Sequence, residues 1–260
     1  EIYTLSLHDA LPIWMRYRKD IDGLRALAVV PVVLFHAGVK LFCGGFTGVD
    51  VFFVISGYLI TSLIVDEIRQ GRFSIIQFYE RRVRRIFPAL FAILIFSSVA
   101  AWRLMMPQQF DDFAKSVFAT ALFMSNILFW WQAGYFAAPA VDKPLLHTWS
   151  LAVEEQFYII WPMAALMLGW HRRRLMIALT SVIVAVSAGR VIYQLFFSGD
   201  HNVVYYSFHT RADSLAIGCL VAVLLNKATD SRVLDFVVGH WLAPGLTLSI
   251  LLLTLWMESR

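Results

Sequence analysis

Residues 46–65 read FTGVDVFFVISGYLITSLIV, twenty positions that carry a single charge, Asp50. A helix rises about 1.5 Å per residue, so about twenty apolar residues cross a bilayer core about 30 Å thick. The stretch predicts a membrane-spanning helix. Working outward, comparable runs lie at about 22–40, 86–106, 113–133, 148–170, 175–197, 208–226 and 241–257, which makes eight segments. The expected fold class is all-α, a polytopic transmembrane helix bundle folded as one membrane domain. No linker, low-complexity stretch or internal repeat interrupts it.

Composition agrees. Of the 260 residues, 59% are hydrophobic and 15% charged, with a mean hydropathy of +0.67. Soluble domains are about 45–50% apolar and about 25% charged. A soluble chain of this make-up would lack the polar surface to cover itself, which excludes secreted, nuclear and soluble cytoplasmic proteins. The net charge of +4 comes from 22 basic and 18 acidic residues. The basic residues cluster beside the spans, where they set topology, so nucleic acid is not an expected partner. Cys43 and Cys219 stand far apart near spans and read as small buried hydrophobes.

The ends look unlike the rest. EIYTLSLHDALPI (1–13) resembles a translated sequencing adaptor, so residues 1–14 read as a non-native leader and Met15 as the start. Without that leader the charge becomes 22 − 16 = +6. The membrane domain then covers 15–260 and stops just after an apolar run, LLLTLWMESR, which reads as a C-terminal truncation.

Charge orients the chain. Arg16, Arg18 and Lys19 precede the first span and place that end on the cytoplasmic side. The second span is followed by DEIRQGRFSIIQFYERRVRR, whose six arginines fit the same side. Within it, 73–85 is too polar to cross and predicts an amphipathic helix at the interface. A conflict follows. Three full spans at 86–106, 113–133 and 148–170 would put His171 and Arg172–Arg174 outside, where a basic cluster does not belong. A re-entrant or interfacial piece within 103–147, which holds Pro107, Gly134, Pro139 and Pro144, would remove it.

Ionisable groups inside a span are costly, so each is a functional candidate. In DGLRALAVVPVVLFHAG, Arg25 and His36 are eleven residues apart. At about 100° and 1.5 Å per residue they share a helix face about 16 Å apart, too far to touch. A neutral imidazole suits a general base; it equally suits helix packing. Asp50 stands near the outer end of the second span, within reach of orienting His36, and Ser56 and Gly57 suit close packing. Arg82 and Arg85 share a face and present planar guanidinium groups to phosphate, whether of a ligand or of lipid headgroups. Glu154 and Glu155 lie in the apolar run HTWSLAVEEQFYIIWP beside His147, Trp149, Ser150 and Tyr158. Adjacent positions face about 100° apart, so one glutamate at most points at any given site, and a buried carboxylate there needs a cationic partner. Arg211 and Asp213 in SFHTRADSLAIG are placed to neutralise charges on other helices.

Together DGLRALAVVPVVLFHAG, GVDVFFVISGYLIT, RRVRRIFPAL, HTWSLAVEEQFYIIWP and TRADSLAIG resemble the membrane-bound acyltransferase family 3. The resemblance runs over about residues 20–226 with the motifs in order. It is nearest the bacterial branch that acetylates surface carbohydrates such as lipopolysaccharide O-antigen, many members of which carry a C-terminal SGNH domain. It implies a core of about ten helices, of which this chain supplies eight. The Arg–ten–His motif falls on Arg25 and His36, implying a catalytic role. The Arg–two–Arg motif falls on Arg82 and Arg85, and the SLxxE pattern selects Glu154 over Glu155.

The expectation that follows is an O-acyltransferase of the bacterial cytoplasmic membrane, passing an acetyl or short acyl group from acyl-CoA to a carbohydrate hydroxyl. Arg82 and Arg85 would hold CoA phosphates with Arg25 lining the way inward. His36, deep in an apolar channel, would act as base or acyl carrier, with Asp50 or Glu154 fixing its tautomer. Acyl-CoA is the one cofactor expected; no metal-ligand cluster or dinucleotide glycine motif stands in the sequence. The partners expected are membrane lipid, acyl-CoA and the acceptor. The alternative is a secondary transporter whose intramembrane charges bind substrate.

Overall fold

The computed structural model describes residues 19–132, 142–196 and 205–225. The leader, the segment 241–257, Gly134 and Pro139 lie outside the described residues. Among the described residues there are eight α-helices and no strand.

α1 (Lys19–His36) and α2 (Gly48–Arg69) form an antiparallel pair joined by two single 3-10 turns. Glycine brings their backbones together: a Cβ on Gly48 would stand 2.1 Å from the Ala28 carbonyl oxygen. α1 stops after His36 because Gly38 takes φ +76°, which glycine adopts without steric cost. The Gly38 and Val39 N–H groups then donate to the Phe35 and Leu34 carbonyls and close the helix end.

α3 (Ile75–Leu104) is a single helix of 30 residues. This corrects the expected division into an interfacial helix at 73–85 and a span at 86–106. Pro88 lies inside the helix, exposed on its surface. Its ring removes one backbone bond without breaking the rod, a tolerance common in membrane helices.

The expected span 113–133 is also corrected. It is two helices, α4 (Pro107–Ala121) and α5 (Ser125–Trp131), of 15 and 7 residues. At about 1.5 Å per residue they are about 22 and 10 Å long, neither enough for a bilayer core. Phe123 turns the chain at φ 54°, with the Phe123 and Met124 N–H groups donating to the Thr120 and Ala119 carbonyls. Both sides of the bend tie to one residue, Thr148. Its hydroxyl lies 3.0 Å from that of Thr120, and its carbonyl accepts from Ser125 Oγ at 2.9 Å.

α6 (Thr148–Met167) runs antiparallel to α3. Phe73 packs on Trp170, Tyr79 Oη donates to the Ile159 carbonyl, and the Arg82 guanidinium lies over the Tyr158 ring. α7 (Arg172–Phe196) and α8 (Phe208–Leu225) complete the bundle. α8 lies parallel to α2, with Gly57 against the Leu215 backbone and Gly218 against that of Val54. α7 runs antiparallel to α8, with Arg190 paired to Asp213 near one end and Arg172 donating to the Val223 carbonyl near the other.

Four of these helices are long and apolar enough to cross a membrane: α2 with its preceding turn, α3, α8 and the Arg172–Tyr193 part of α7. Their outward faces are apolar, with Phe96 78% and Leu195 73% exposed. Phe53, Trp149, Phe157, Trp161 and Leu215 fill the core between α2, α6 and α8.

Candidate active site

Three helices bring arginines and glutamates to one level of the bundle. Arg25 lies about two turns into α1, Arg82 and Arg85 two to three turns into α3, and Glu154 about two turns into α6. Arg85 is within electrostatic range of Arg25, Arg82, Tyr158 and Glu154. Glu154 is buried beside Ser56 of α2 and within range of Arg82, Glu155 and Arg25. The Arg82 guanidinium carbon sits 3.7 Å from the centre of the Tyr158 ring, and that of Arg25 sits 5.5 Å from the Phe52 ring. The arginines expected near a buried glutamate are therefore within electrostatic range of it, without a direct ion pair among the described residues.

These groups do not satisfy one another. Arg25 Nε, Arg82 Nε, Ser56 Oγ and one carboxylate oxygen of each of Glu154 and Glu155 are buried without a hydrogen-bond partner. Leaving such atoms unpaired costs about 1–3 kcal/mol each, more for charged groups, so an arrangement that gathers five has the character of a binding site. Three guanidinium groups against two carboxylates leave an excess of positive charge, which suits an anion. Ser56 and Tyr158 belong to this chamber although the sequence marked them only as a packing residue and a neighbour. For Tyr158 the signal was spacing: Glu154, Tyr158 and Trp161 fall at i, i+4 and i+7 and share one face of α6.

His36 stands apart from that chamber. It is the last residue of α1, exposed, and not deep in an apolar channel. Its Nδ1–H donates to the Val32 carbonyl at 2.8 Å, so in the neutral ring Nε2 carries the free lone pair. The group that orients the imidazole is the carbonyl of its own helix, not Asp50 or Glu154. His147, at the head of α6, is within electrostatic range of His36. Partial burial pushes the His147 pKa below its ordinary value, and His36 adds in the same direction.

Asp50 is held elsewhere. Arg211 Nη1 donates to both of its carboxylate oxygens, at 2.9 and 2.7 Å, and Ser214 Oγ donates to one at 3.3 Å. With both oxygens engaged by one guanidinium, the Asp50 carboxylate is turned to Arg211 and not to the imidazole. Asp213 pairs with Arg190 of α7. The two charges of the α8 motif thus neutralise partners on two other helices.

The family described as an acyltransferase domain, acyltransferase 3, matches residues 18–258. The chain belongs to the acyltransferase 3 family. As a member of that family with several apolar helices, it is a multi-pass membrane protein. The chain is 36% identical over 216 residues to the O-acetyltransferase OatA of Staphylococcus aureus strain NCTC 8325, covering 80% of this chain and 35% of OatA. It is 38% identical over 230 residues to YrhL of Bacillus subtilis strain 168, named for peptidoglycan O-acetylation, covering 84% of this chain and 35% of YrhL. The chain therefore spans about a third of the length of these relatives. No solved structure matches it. Within this acyltransferase 3 chain, the basic chamber and His36 lie toward opposite ends of α1.

Proposed function

We propose that this acyltransferase 3 chain is the membrane core of an O-acetyltransferase. It takes an acetyl or other short acyl group from acyl-CoA at the cytoplasmic face of the bacterial inner membrane and delivers it to a carbohydrate hydroxyl on the other side. The observation that carries this reading is the cluster of Arg25, Arg82 and Arg85, in which Arg25 Nε and Arg82 Nε are buried and unpartnered, set one α-helix away from an imidazole with a free Nε2. Phosphate oxygens are the natural partners of such guanidinium groups. About 16 Å of helix separates Arg25 from His36, a distance that calls for a donor with a long arm between its phosphates and its reactive carbonyl. The pantetheine arm of CoA has that form. The names of OatA and YrhL support acetyl transfer, and that of YrhL supports a glycan acceptor.

In this reading Arg82 and Arg85 hold the donor phosphates, Arg25 lines the path, and Glu154 and Glu155 offset part of the arginines' charge. His36 Nε2 takes the proton from the acceptor hydroxyl as its oxygen forms the new bond to the acyl carbon. The carbon–sulfur bond breaks, and the CoA sulfur leaves with the proton returned from the imidazolium. The alternative order, in which Nε2 first accepts the acyl group and then passes it on, uses the same atoms.

The test uses the full protein in lipid nanodiscs. Arg82→Ala with Arg85→Ala removes two charge-assisted contacts, each worth about 1.5–3 kcal/mol, so acyl-CoA affinity should fall at least tenfold. His36→Ala should bind acyl-CoA normally and transfer nothing. Unchanged donor affinity in the arginine variant would reassign that pair to lipid anchoring, and transfer by His36→Ala would remove the imidazole from the chemistry.

A further inference from the structure

Opposite the basic chamber, on the other side of α6, lies a second polar space. It is a partly open cavity of about 120 Å³ whose walls include Asn126, Trp130, Gln156, Ser207, Phe208 and His209. Gln156 is two residues from Glu154, about 200° around the helix, so α6 is a wall between the two. The α4–α5 bend shapes this cavity. Gln156 Nε2 donates to the Phe123 carbonyl and to Asn126 Oδ1, both at 2.8 Å, while Asn126 Nδ2 donates back to Gln156 Oε1 at 3.3 Å.

The two amides are fixed by each other yet not exhausted. Gln156 uses both of its N–H groups, Asn126 uses one, and each amide oxygen accepts one bond. One Asn126 N–H and a lone pair on each oxygen are left over. Asn126 is only 1% exposed, so this donor and these acceptors are held in place rather than dissolved in water. Two aromatic residues, Trp130 and Phe208, line the same cavity, as does the exposed His209. Fixed amide donors and acceptors together with flat apolar rings in one cavity match one kind of ligand well. A pyranose has hydroxyls around its edge and an apolar C–H face.

Position fits too. The cavity lies at the head of α8, two residues from Arg211, whose partner Asp50 lies in the first turn of α2. That is the end of the bundle where α1 finishes at His36. We infer that the cavity between the α4–α5 bend and the head of α8 is the acceptor subsite, holding one pyranose unit of the carbohydrate through Asn126, Gln156 and Trp130. The inference rests on the proposed transferase reading and places its second substrate across α6 from the first.

The experiment measures two ligands on the full protein in nanodiscs: chitotetraose, by saturation-transfer NMR, and acyl-CoA, by equilibrium binding. Trp130→Ala and His209→Ala should each weaken chitotetraose binding at least fivefold and leave acyl-CoA affinity within twofold. Trp130→Phe, which keeps an aromatic face, should recover most of the loss. The amides also fasten the bend, so these two outer positions carry the test. Chitotetraose that fails to bind the wild-type protein, or binds Trp130→Ala and His209→Ala as tightly as wild type, overturns the subsite. Acyl-CoA that fails to bind while chitotetraose does would overturn the donor reading and spare the subsite.

Discussion

Asp50 shows how far a single residue can be read before its partner is known. An aspartate near the end of a span predicts a positive neighbour, and His36, a short turn away in sequence, was the nearest candidate. The partner is Arg211, 161 residues further on, and periodicity carries no information about such a pairing. The arginines and Glu154 were legible for the opposite reason. Arg25 and Glu154 are expensive in an apolar run, and Arg82 and Arg85 share a helix face at a spacing of three, so each stands out before anything is known of its surroundings. The Asp50–Arg211 pair has a measurable consequence. Its side chains are 34% and 13% exposed, so removing one charge should cost on the order of 2 kcal/mol, less than the 3–5 of a fully buried pair. Asp50→Ala and Arg211→Ala should each lower resistance to SDS-induced unfolding by about that amount. The double variant should lose clearly less than the sum, because the second change removes a charge already stranded by the first. Strict additivity would mean that the two charges stabilise the fold independently.

At the scale of elements, the apolar runs that fall within the described residues were read correctly as helices, and their continuity was not. The polarity of 73–85 suggested a division where α3 has none. Phe123 ends α4 although nothing in LFMSN announces a stop: the position that glycine fills after α1 is here a phenylalanine at φ 54°. A non-glycine residue there costs about 1–2 kcal/mol. The Phe87–Phe123 ring contact and the Gln156 bond to the Phe123 carbonyl offset it, and both come from other helices. The contact between α2 and α8 was half legible, since Gly57 was read as a packing residue with no indication of what it packs on. Its geometry makes a sharp prediction. A Cβ on Gly57 would stand 2.1 Å from Leu215 O, and one on Gly218 would stand 2.0 Å from Val54 O. Neither oxygen can move without its helix. Gly57→Val and Gly218→Val should each force the helices apart and cost at least about 3 kcal/mol, at the upper end of overpacking penalties. Gly189 on α7 has nothing within 4 Å of its Cβ position. Gly189→Ala should be neutral or stabilise by up to about 1 kcal/mol, from helix propensity alone. Yield and melting temperature of the purified protein compare the three, and wild-type behaviour of Gly218→Val would mean that α2 and α8 do not touch as described.

For the whole molecule, the bend at Phe123 settles an argument that charge alone left in conflict. If 113–133 crossed the membrane, α3 and α6 would run in the same direction and Arg172–Arg174 would sit on the side opposite Arg81–Arg85. Instead α3 and α6 are antiparallel, with Phe73 on Trp170 at one end, and α6 returns the chain to the side it left. The pair α4–α5 enters and leaves on the far side, and every basic cluster among the described residues then falls on one face. Cysteine labelling tests this directly, because Cys43 is exposed in the turn between α1 and α2 and Cys219 is buried. In intact cells a membrane-impermeant maleimide should reach Cys43. With Cys43 and Cys219 replaced by serine, a cysteine at Asp111 near the start of α4 should label from outside, and so should one at Gln132 just after α5. A cysteine at Arg173 should label only after the cells are opened. Labelling of position 132 from inside, with position 111 labelled from outside, would make α4–α5 a true crossing. The antiparallel packing of α3 on α6 could not then stand, and neither could a chamber built by Arg82 of one and Glu154 of the other.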